Sequence, residues 1–540
     1  MSSIKTNNAK TNITMLSLKT KSSMMYAAIL AINFGILSLV VIFHEYWYTF
    51  APILVLGAAS SLWYITWVLV HRVYMLIKGN PILTAPKEPM MFLVTAYRET
   101  KEELDRTVES ITMQKMDPEI NRTVVVIVDG EKETAQGLRE YHQYDETFVI
   151  KDAYEDWHNK PKDVTIFKKQ HNGINVVYII KSENAGKRDS VVLARTLAYG
   201  NLFERSENRH AMKISGELDL IWSRLIPKVT RMIGIDADTI FHEECSQALL
   251  EEMNYPGDRP VDGVVGYIDI EMGKSKSPYQ KAWIWFQGVG YIIGQHVMRV
   301  YQSRITEKVS CLSGACYGIY VPTMCEPELL KEFNNPPPQN AGLFLSILGY
   351  ASEDRRSVVL ALCRDRNIRF RQALDSRAIA YTVPPDNFTV FISQRRRWSL
   401  GTVCNNLWLF LYGKNLYISE RIIALVQVIG FLFSPLYLMV NIYLIYILVA
   451  RFDIKLIYIS IPMFLVYLNN ILIPVWSPCA GSFKNRLSYY PKLFMTFFYS
   501  PWISVIIQAN SIIKSWSVSW GKTVIKSITK PAKATQNTLV

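Results

Sequence analysis

Apolar and polar positions along this chain of 540 residues follow two different regimes. Near the N-terminus, Met24 to Phe43 runs for 20 residues and Tyr48 to Val70 for 23 without a charged side chain, against about 20 residues needed to cross roughly 30 Å of hydrocarbon. The two runs predict a transmembrane hairpin. Toward the other end, Ile422 to Ala450, Ile454 to Ile473 and Phe494 to Ile513 are apolar in the same way, with Lys455 as the one charge. Five such stretches argue against buried helices of a soluble protein. The long Ile422 to Ala450 run suits a tilted span or a poorly delimited one, and Trp408 to Tyr412 reads as interfacial.

Between these segments lies a polar region of about 330 residues, Pro81 to Leu411, with an alternating rhythm of short apolar runs and charged intervals. Strands are expected at Met91 to Thr95, Thr123 to Val128, Asn175 to Ile180, Met232 to Ile235 and Gly263 to Ile268. Glu99 to Met113 and Arg188 to Glu204 are expected as helices. The pattern predicts an α/β domain with a mostly parallel, open sheet. The resulting division is a tail and transmembrane hairpin over 1–80, a polar α/β domain over 81–400, interfacial and transmembrane helices over 401–521, and a basic tail over 522–540.

Composition narrows this picture. A net charge of +13 suits nucleic acid, anionic lipid or a phosphorylated substrate equally, but no long basic and aromatic surface of the kind single-stranded nucleic acid requires is visible. Seven dispersed cysteines argue against an obligatory disulfide framework. Lys10, Lys19 and Lys21 precede the first span and His71, Arg72 and Lys78 follow the second, so the positive-inside rule places both flanks, and the central domain with them, in the cytosol. Three simple C-terminal spans leave the tail outside, whereas Lys514, Lys522, Lys526, Lys530 and Lys533 make it basic. One of the five segments is therefore a candidate re-entrant or interfacial helix. No G-x-G-x-x-G or G-x-x-x-x-G-K-[ST] window follows a strand, which removes the main support for dinucleotide and P-loop chemistry.

Acidic residues at strand ends carry the chemical argument. In Ile233-Gly-Ile-Asp-Ala-Asp-Thr-Ile240, Asp236 and Asp238 close a strand and face the carboxyl edge of the sheet, where a hard divalent ion can bridge a diphosphate. With 46 acidic residues, about four acid-x-acid triplets arise by chance, so it is the strand context that discriminates. Asp129, after Val124-Val-Val-Ile-Val128, suits either a nucleobase N–H or a turn cap. In Asn184-Ala-Gly-Lys-Arg-Asp189, Lys187 and Arg188 suit either a phosphate or a solvated helix start. Glu353-Asp354-Arg355 offers a base for an attacking hydroxyl, or a solvated loop cluster. Gln394-Arg-Arg-Arg-Trp398 combines guanidinium groups for a departing diphosphate with an indole for a sugar face, or is a basic membrane flank.

Taken in order, these elements resemble the processive family 2 glycosyltransferases and, within them, the chitin synthases. Gln394 to Trp398, Glu353 to Arg355 and Asn184 to Asp189 carry the resemblance, and Val518-Ser-Trp-Gly-Lys522 is similar to a C-terminal signature of the family, with Lys522 in place of threonine. Ser310-Cys-Leu-Ser-Gly-Ala315 departs at Ser313 and Ala315 from the usual proline and cysteine. The resemblance covers roughly Met91 to Lys522. It implies a GT-A glycosyltransferase fold, UDP-N-acetylglucosamine as donor, a growing chitin chain as acceptor, and Mg²⁺ or Mn²⁺. It also implies residue roles. Thr95, Tyr97 and Asp129 surround the uridine, Lys187 and Asp236 hold the nucleotide, and Asp238 holds the metal. Asp354 is the base, Arg395 and Arg397 stabilise the diphosphate, and Gln394 and Trp398 bind the acceptor, with the Ser310 to Ala315 loop at the acceptor end. Membrane lipids are the expected surroundings, in the plasma membrane, and nucleic acid is not an expected partner. Hyaluronan synthesis from two donors is the near alternative, and a non-catalytic membrane receptor or transporter with a nucleotide-sensing domain is the alternative of another class.

Overall fold

A computed structural model describes residues 2–46, 51–130, 144–203, 211–271, 277–338, 341–385, 387–451, 454–476 and 483–517. The C-terminal signature at Val518 to Lys522 and the basic tail lie outside the described residues.

The sheet is built around runs such as Arg122-Thr-Val-Val-Val-Ile-Val128, in which β-branched residues are buried on both faces, as a covered parallel strand requires. In chain order the strands are β1 (Met90–Ala96), β2 (Arg122–Val128), β3 (Glu146–Glu155), β4 (Pro161–His171), β5 (Ile174–Lys181), β6 (Arg231–Asp236), β7 (Thr239–Phe241), β8 (Gly263–Val265), β9 (Tyr267–Ile270), β10 (Tyr317–Tyr320), β11 (Phe370–Gln372) and β12 (Ile379–Thr382). Nine form one sheet in the order β11-β8-β10-β6-β1-β2-β5-β4-β3, and β7-β12-β9 form a second. The centre, β6-β1-β2-β5, is parallel, as expected. Its flanks are antiparallel: β10 runs against β6 and β8, and β3, β4 and β5 form a meander. The expected Gly263 to Ile268 strand divides at Gly266 between the two sheets.

Alternate residues of β1 enter opposite cores. Met91 and Leu93 pack with Val192, Leu193 and Leu197 of the Lys187–Phe203 helix, while Phe92 and Val94 pack with Leu104, Val108 and Ile111 of the Lys101–Thr112 helix. The latter helix starts with a capping box, in which Thr100 Oγ1 accepts the Glu103 N–H at 3.2 Å and Glu103 Oε2 accepts the Thr100 N–H at 2.8 Å. Register then fixes the site. Thr95 lies opposite both Ile127 and Asp236, so the carboxyl ends of β1, β2 and β6 share one edge.

Leu18–Ile42 and Ala51–Lys78 are long and apolar enough to cross a membrane. The Ile422 to Ala450 run is not one straight element. It divides into Ile418–Leu432 and Ser434–Arg451, which meet at a bend of 72°. Polar side chains from neighbouring helices satisfy the backbone freed there. Asn33 Nδ2 and Gln508 Nε2 donate to Leu432 O at 3.3 and 3.1 Å, and the Leu436 N–H donates to Asn33 Oδ1 at 3.0 Å. Ser460–Ile473 and Phe497–Ile513 are shorter apolar segments.

The helical region is joined to the sheet domain by polar contacts as well as by the chain. Phe388–Tyr412 is one continuous helix through residue 400. Trp63 Nε1 donates to Tyr301 Oη at 2.9 Å, and Gln427 Nε2 donates to Met298 Sδ at 3.4 Å. The six described cysteines are unpaired.

Candidate active site

At the shared strand edge, Asp129 is almost fully buried just beyond β2. Its Oδ1 pairs with Lys181 Nζ at 2.6 Å and accepts the Ala185 N–H at 3.0 Å, while Oδ2 accepts the Gly186 N–H at 2.7 Å. Asp129 therefore orders the turn that delivers Lys187, and it also fronts the cavity described below. The expected Lys187/Arg188 pair separates. Lys187 faces the cavity, whereas Arg188 turns inward, donating to Phe333 O and Leu348 O at 3.2 Å each and stacking on the Phe333 ring at 4.8 Å. Successive positions of a helix point about 100° apart, so one of two adjacent cations had to leave the site.

Lys187 Nζ lies 2.5 Å from Asp236 Oδ1 and 3.4 Å from Glu353 Oε1. The Ser310 to Ala315 loop closes over this pair at Gly314, where a Cβ would fall 2.7 Å from Lys187 Nζ and 3.1 Å from Asp236 Oδ1. Asp238 stands beside it in a different state. Burial and the neighbouring Asp236 push its carboxyl up to about 6 against the opposing pull of Lys187, and Thr239 Oγ1 donates to it at 3.4 Å. A carboxylate short of positive charge suits a divalent cation. Among the described residues no group of three or more His, Cys, Asp or Glu side chains converges. An ion here would be held by Asp238, with Asp236 adjacent, and by substrate oxygens, the usual manner of Mg²⁺ and Mn²⁺ at phosphates.

Glu353 and Asp354 open the Glu353–Arg364 helix, where the helix dipole favours negative charge. Ser352, immediately before them, has φ 52°, the left-handed region. It is held against the Phe388–Tyr412 helix, since a Cβ on Gly401 would lie 1.9 Å from Ser352 Oγ. Burial pushes the Glu353 carboxyl up, but Lys187, the helix backbone, Arg397 and Arg188 outweigh it, leaving Glu353 below the ordinary range. Asp354 is raised by burial and by Glu353, with Lys187 and Arg355 only partly opposing. The Arg355 N–H donates to Asp354 Oδ1 at 2.9 Å, and Cys311 Sγ lies 3.7 Å from Oδ2.

The Phe388–Tyr412 helix supplies the opposite wall. The Arg395 guanidinium stacks 4.4 Å from the Trp398 ring centre and 5.1 Å from that of Tyr291. Burial lowers Arg397 from its ordinary value, although Glu353, Asp354 and Asp236 surround it. Trp398 remains 37% exposed, leaving a ring surface for a ligand. Gln394 Oε1 is shut off from solvent without a hydrogen-bond partner.

Apart from Arg188, every nominated side chain, from Thr95 and Tyr97 to Trp398, fronts one cavity of about 420 Å³. Ser517, directly before the C-terminal signature, fronts it too. Residues that the sequence did not single out also take part. Tyr291 comes from the Pro278–His296 helix, and Arg299 from the short helix after it. Glu99 accepts the Tyr97 N–H. None of these stands in a motif, and the folding of distant segments alone brings them in.

Carboxylates along the carboxyl edge of a mostly parallel sheet, opposed by guanidinium groups and an indole, fit the class of GT-A glycosyltransferases. The family model described as chitin synthase matches residues 164–538. Chitin synthase 8 of Gibberella zeae is 30% identical over 460 residues, covering 82% of this chain and 67% of the relative. Chitin synthase 8 of Verticillium dahliae is 27% identical over 446 residues, covering 75% and 71% respectively. Among solved structures, a mannosyltransferase from Pyrobaculum calidifontis in complex with GDP-Man and Mn²⁺ aligns at 12% identity and a TM-score of 0.40, over 83% of this chain and 99% of that one. The chain belongs to the chitin synthase family. It is a membrane-associated enzyme of that family.

Proposed function

We propose that the enzyme is a processive, inverting β-1,4-glycosyltransferase that polymerises N-acetylglucosamine from UDP-N-acetylglucosamine into chitin. The observation that carries this reading is the pairing of Asp354, a half-buried carboxyl raised in pKa, with the Lys187–Asp236 ion pair and Arg397 in one cavity. A base and a leaving-group site face each other there, which is the arrangement single displacement needs.

In the proposed step, Asp354 takes the proton of the acceptor's terminal 4-hydroxyl. That oxygen bonds to the donor's anomeric carbon as the bond from this carbon to the UDP oxygen breaks, and the configuration inverts to β. Lys187, Arg395 and Arg397 balance the charge growing on the diphosphate. Thr95, Tyr97 and Asp129 line the nucleoside end, and Gln394 and Trp398 hold the acceptor sugar. Bound Mg²⁺ or Mn²⁺, held by Asp238, would supply Lewis-acid stabilisation of the leaving diphosphate. A cavity of about 420 Å³ falls within the range of nucleotide-sized sites. The adjoining helices form a channel through which the product leaves, from a catalytic domain on the cytosolic face of the plasma membrane.

The test is incorporation of labelled UDP-N-acetylglucosamine by the purified enzyme in liposomes with Mg²⁺ or Mn²⁺, with and without UDP-glucuronate, followed by digestion. Polymer formed from the single donor and cut by chitinase alone is the expected result. An absolute need for both donors, or a product that resists chitinase, would overturn the reading.

A further inference from the structure

Arg299 fronts the cavity, and the mechanism above leaves it without a role. It lies on the Met298–Tyr301 helix, and its Nη2 donates to Ser313 Oγ at 2.6 Å. Its Nη1 is shut off from solvent and has no hydrogen-bond partner. Among the described residues no carboxylate pairs with it within salt-bridge distance. A guanidinium N–H shut off from water without a protein partner is costly unless another group accepts from it. Strained electrostatics of this kind cluster where a ligand completes the set of partners.

The position of Arg299 indicates which ligand. Its electrostatic neighbours include Cys311, Arg355, Asp354 and Cys316. Cys311 Sγ in turn lies 3.7 Å from Asp354 Oδ2. The Ser310 to Ala315 loop touches both groups, since Gly314 rests on the Lys187–Asp236 pair while the adjacent Ser313 holds Arg299. Arg299 therefore stands beside the base, with Cys311 and Ser313 of the acceptor-end loop as its immediate surroundings. Beside the base the incoming group is the acceptor sugar, whose oxygens accept hydrogen bonds from a guanidinium fork.

We propose that Arg299, oriented by Ser313, is an acceptor-binding residue that grips a hydroxyl or acetamido carbonyl oxygen of the terminal acceptor sugar and so aims its attacking hydroxyl at Asp354. The inference rests on the polymerase reading above and adds a residue that sets acceptor affinity and specificity.

The experiment measures initial rates of labelled transfer from UDP-N-acetylglucosamine onto an added trimer of β-1,4-linked N-acetylglucosamine, varying donor and acceptor separately. It uses the full-length enzyme in its wild-type, Arg299→Met, Arg299→Lys and Ser313→Ala forms, with UDP binding as the check on folding. Arg299→Met is expected to raise the acceptor KM about tenfold or more while the donor KM changes by less than about twofold. Arg299→Lys should recover part of the loss, and Ser313→Ala should fall between. Ser313→Ala removes only a hydroxyl, so the inference stays testable if Arg299→Met does not fold. A glucosamine trimer identifies the oxygen: loss of the preference for the acetylated trimer in Arg299→Met assigns the carbonyl, and equal weakening of both trimers assigns a hydroxyl. A donor KM that rises as much as the acceptor KM would reassign Arg299 to the diphosphate and overturn the proposal. So would unchanged constants with intact UDP binding. Wild-type enzyme that transfers nothing from UDP-N-acetylglucosamine would instead sink the polymerase reading, and this inference with it.

Discussion

Glu353 and Asp354 are adjacent in the first turn of one helix, yet their surroundings drive their acidities in opposite directions, Glu353 down and Asp354 up. Lys187 at 3.4 Å favours the Glu353 carboxylate, and the charge so fixed disfavours a second one on Asp354. Carboxylates with environments that separate them in this way take different roles. Glu353 anchors the cation, and Asp354 is the stronger base.

Asp354→Asn should therefore lower transfer by roughly a thousandfold with UDP binding little changed, measured by initial rates beside calorimetry. Because Asp354 works only when ionised and its pKa is raised, wild-type activity is full above that pKa and falls as pH drops through it. Glu353→Gln removes the neighbouring charge and should move that acid limb to lower pH. A limb that stays in place would separate it from Asp354.

Gly401 has no room for a side chain, since its Cβ would lie 1.9 Å from Ser352 Oγ. Gly401→Ala is expected to cost about 1–3 kcal/mol and to misplace the helix start that carries Asp354. Ser352 has positive φ, which glycine adopts freely. The double variant Gly401→Ala/Ser352→Gly should regain most of the loss in both activity and melting temperature, and additive losses would disprove the contact.

His296 is buried at the end of the Pro278–His296 helix and stacks on Tyr267 with ring centres 5.0 Å apart. Burial, aided by Arg72, pulls its pKa down to about 3 from an ordinary 6.5. The unfolded chain therefore binds the proton first. Stability is complete above 6.5 and declines as pH falls from 6.5 toward 3, by about 2 kcal/mol at pH 5. Melting curves from pH 7 to 5 should show this decline, and His296→Gln should flatten it.

Asn33 bridges the broken helix from within the first apolar span. Asn33→Leu raises the hydropathy of that span yet should destabilise the protein by about 1–3 kcal/mol, because the buried Leu436 N–H loses its acceptor. Thermal unfolding in lipid nanodiscs checks the sign. A more stable variant would show that the break is not held by this side chain.

Much of this protein could be read along the chain, and the physical limit of that reading is consistent. The strands β1, β2, β5 and β6 are apolar over their whole length, because both faces of a covered parallel strand are dry. By contrast, β3 and β4 carry Lys151, Asp152, Lys168 and Lys169 among their apolar residues and were not legible as strands. They are the last two strands at one side of the sheet, β3 at its edge, where the pattern is diluted by solvent contact. The site motifs were legible for a similar reason, since Asp236 and Asp238, Glu353 and Asp354, and Gln394 to Trp398 each lie within a single turn or strand end.

Local pattern was enough for the two N-terminal apolar spans, the parallel centre of the sheet and the carboxylates at its edge, because periodicity and strand ends are local properties, whereas the break in the Ile422 to Ala450 run was not visible in it. Tertiary structure alone decided that Arg188 leaves the site while Lys187 stays, that Tyr291 and Arg299 enter it, that Gly314 and Gly401 admit no side chain, and that Asn33 closes a helix break some 400 positions away. Each of these depends on which segments pack together. No local pattern encodes that distance, because the energy that fixes it comes from burial and hydrogen bonding between residues far apart in the chain.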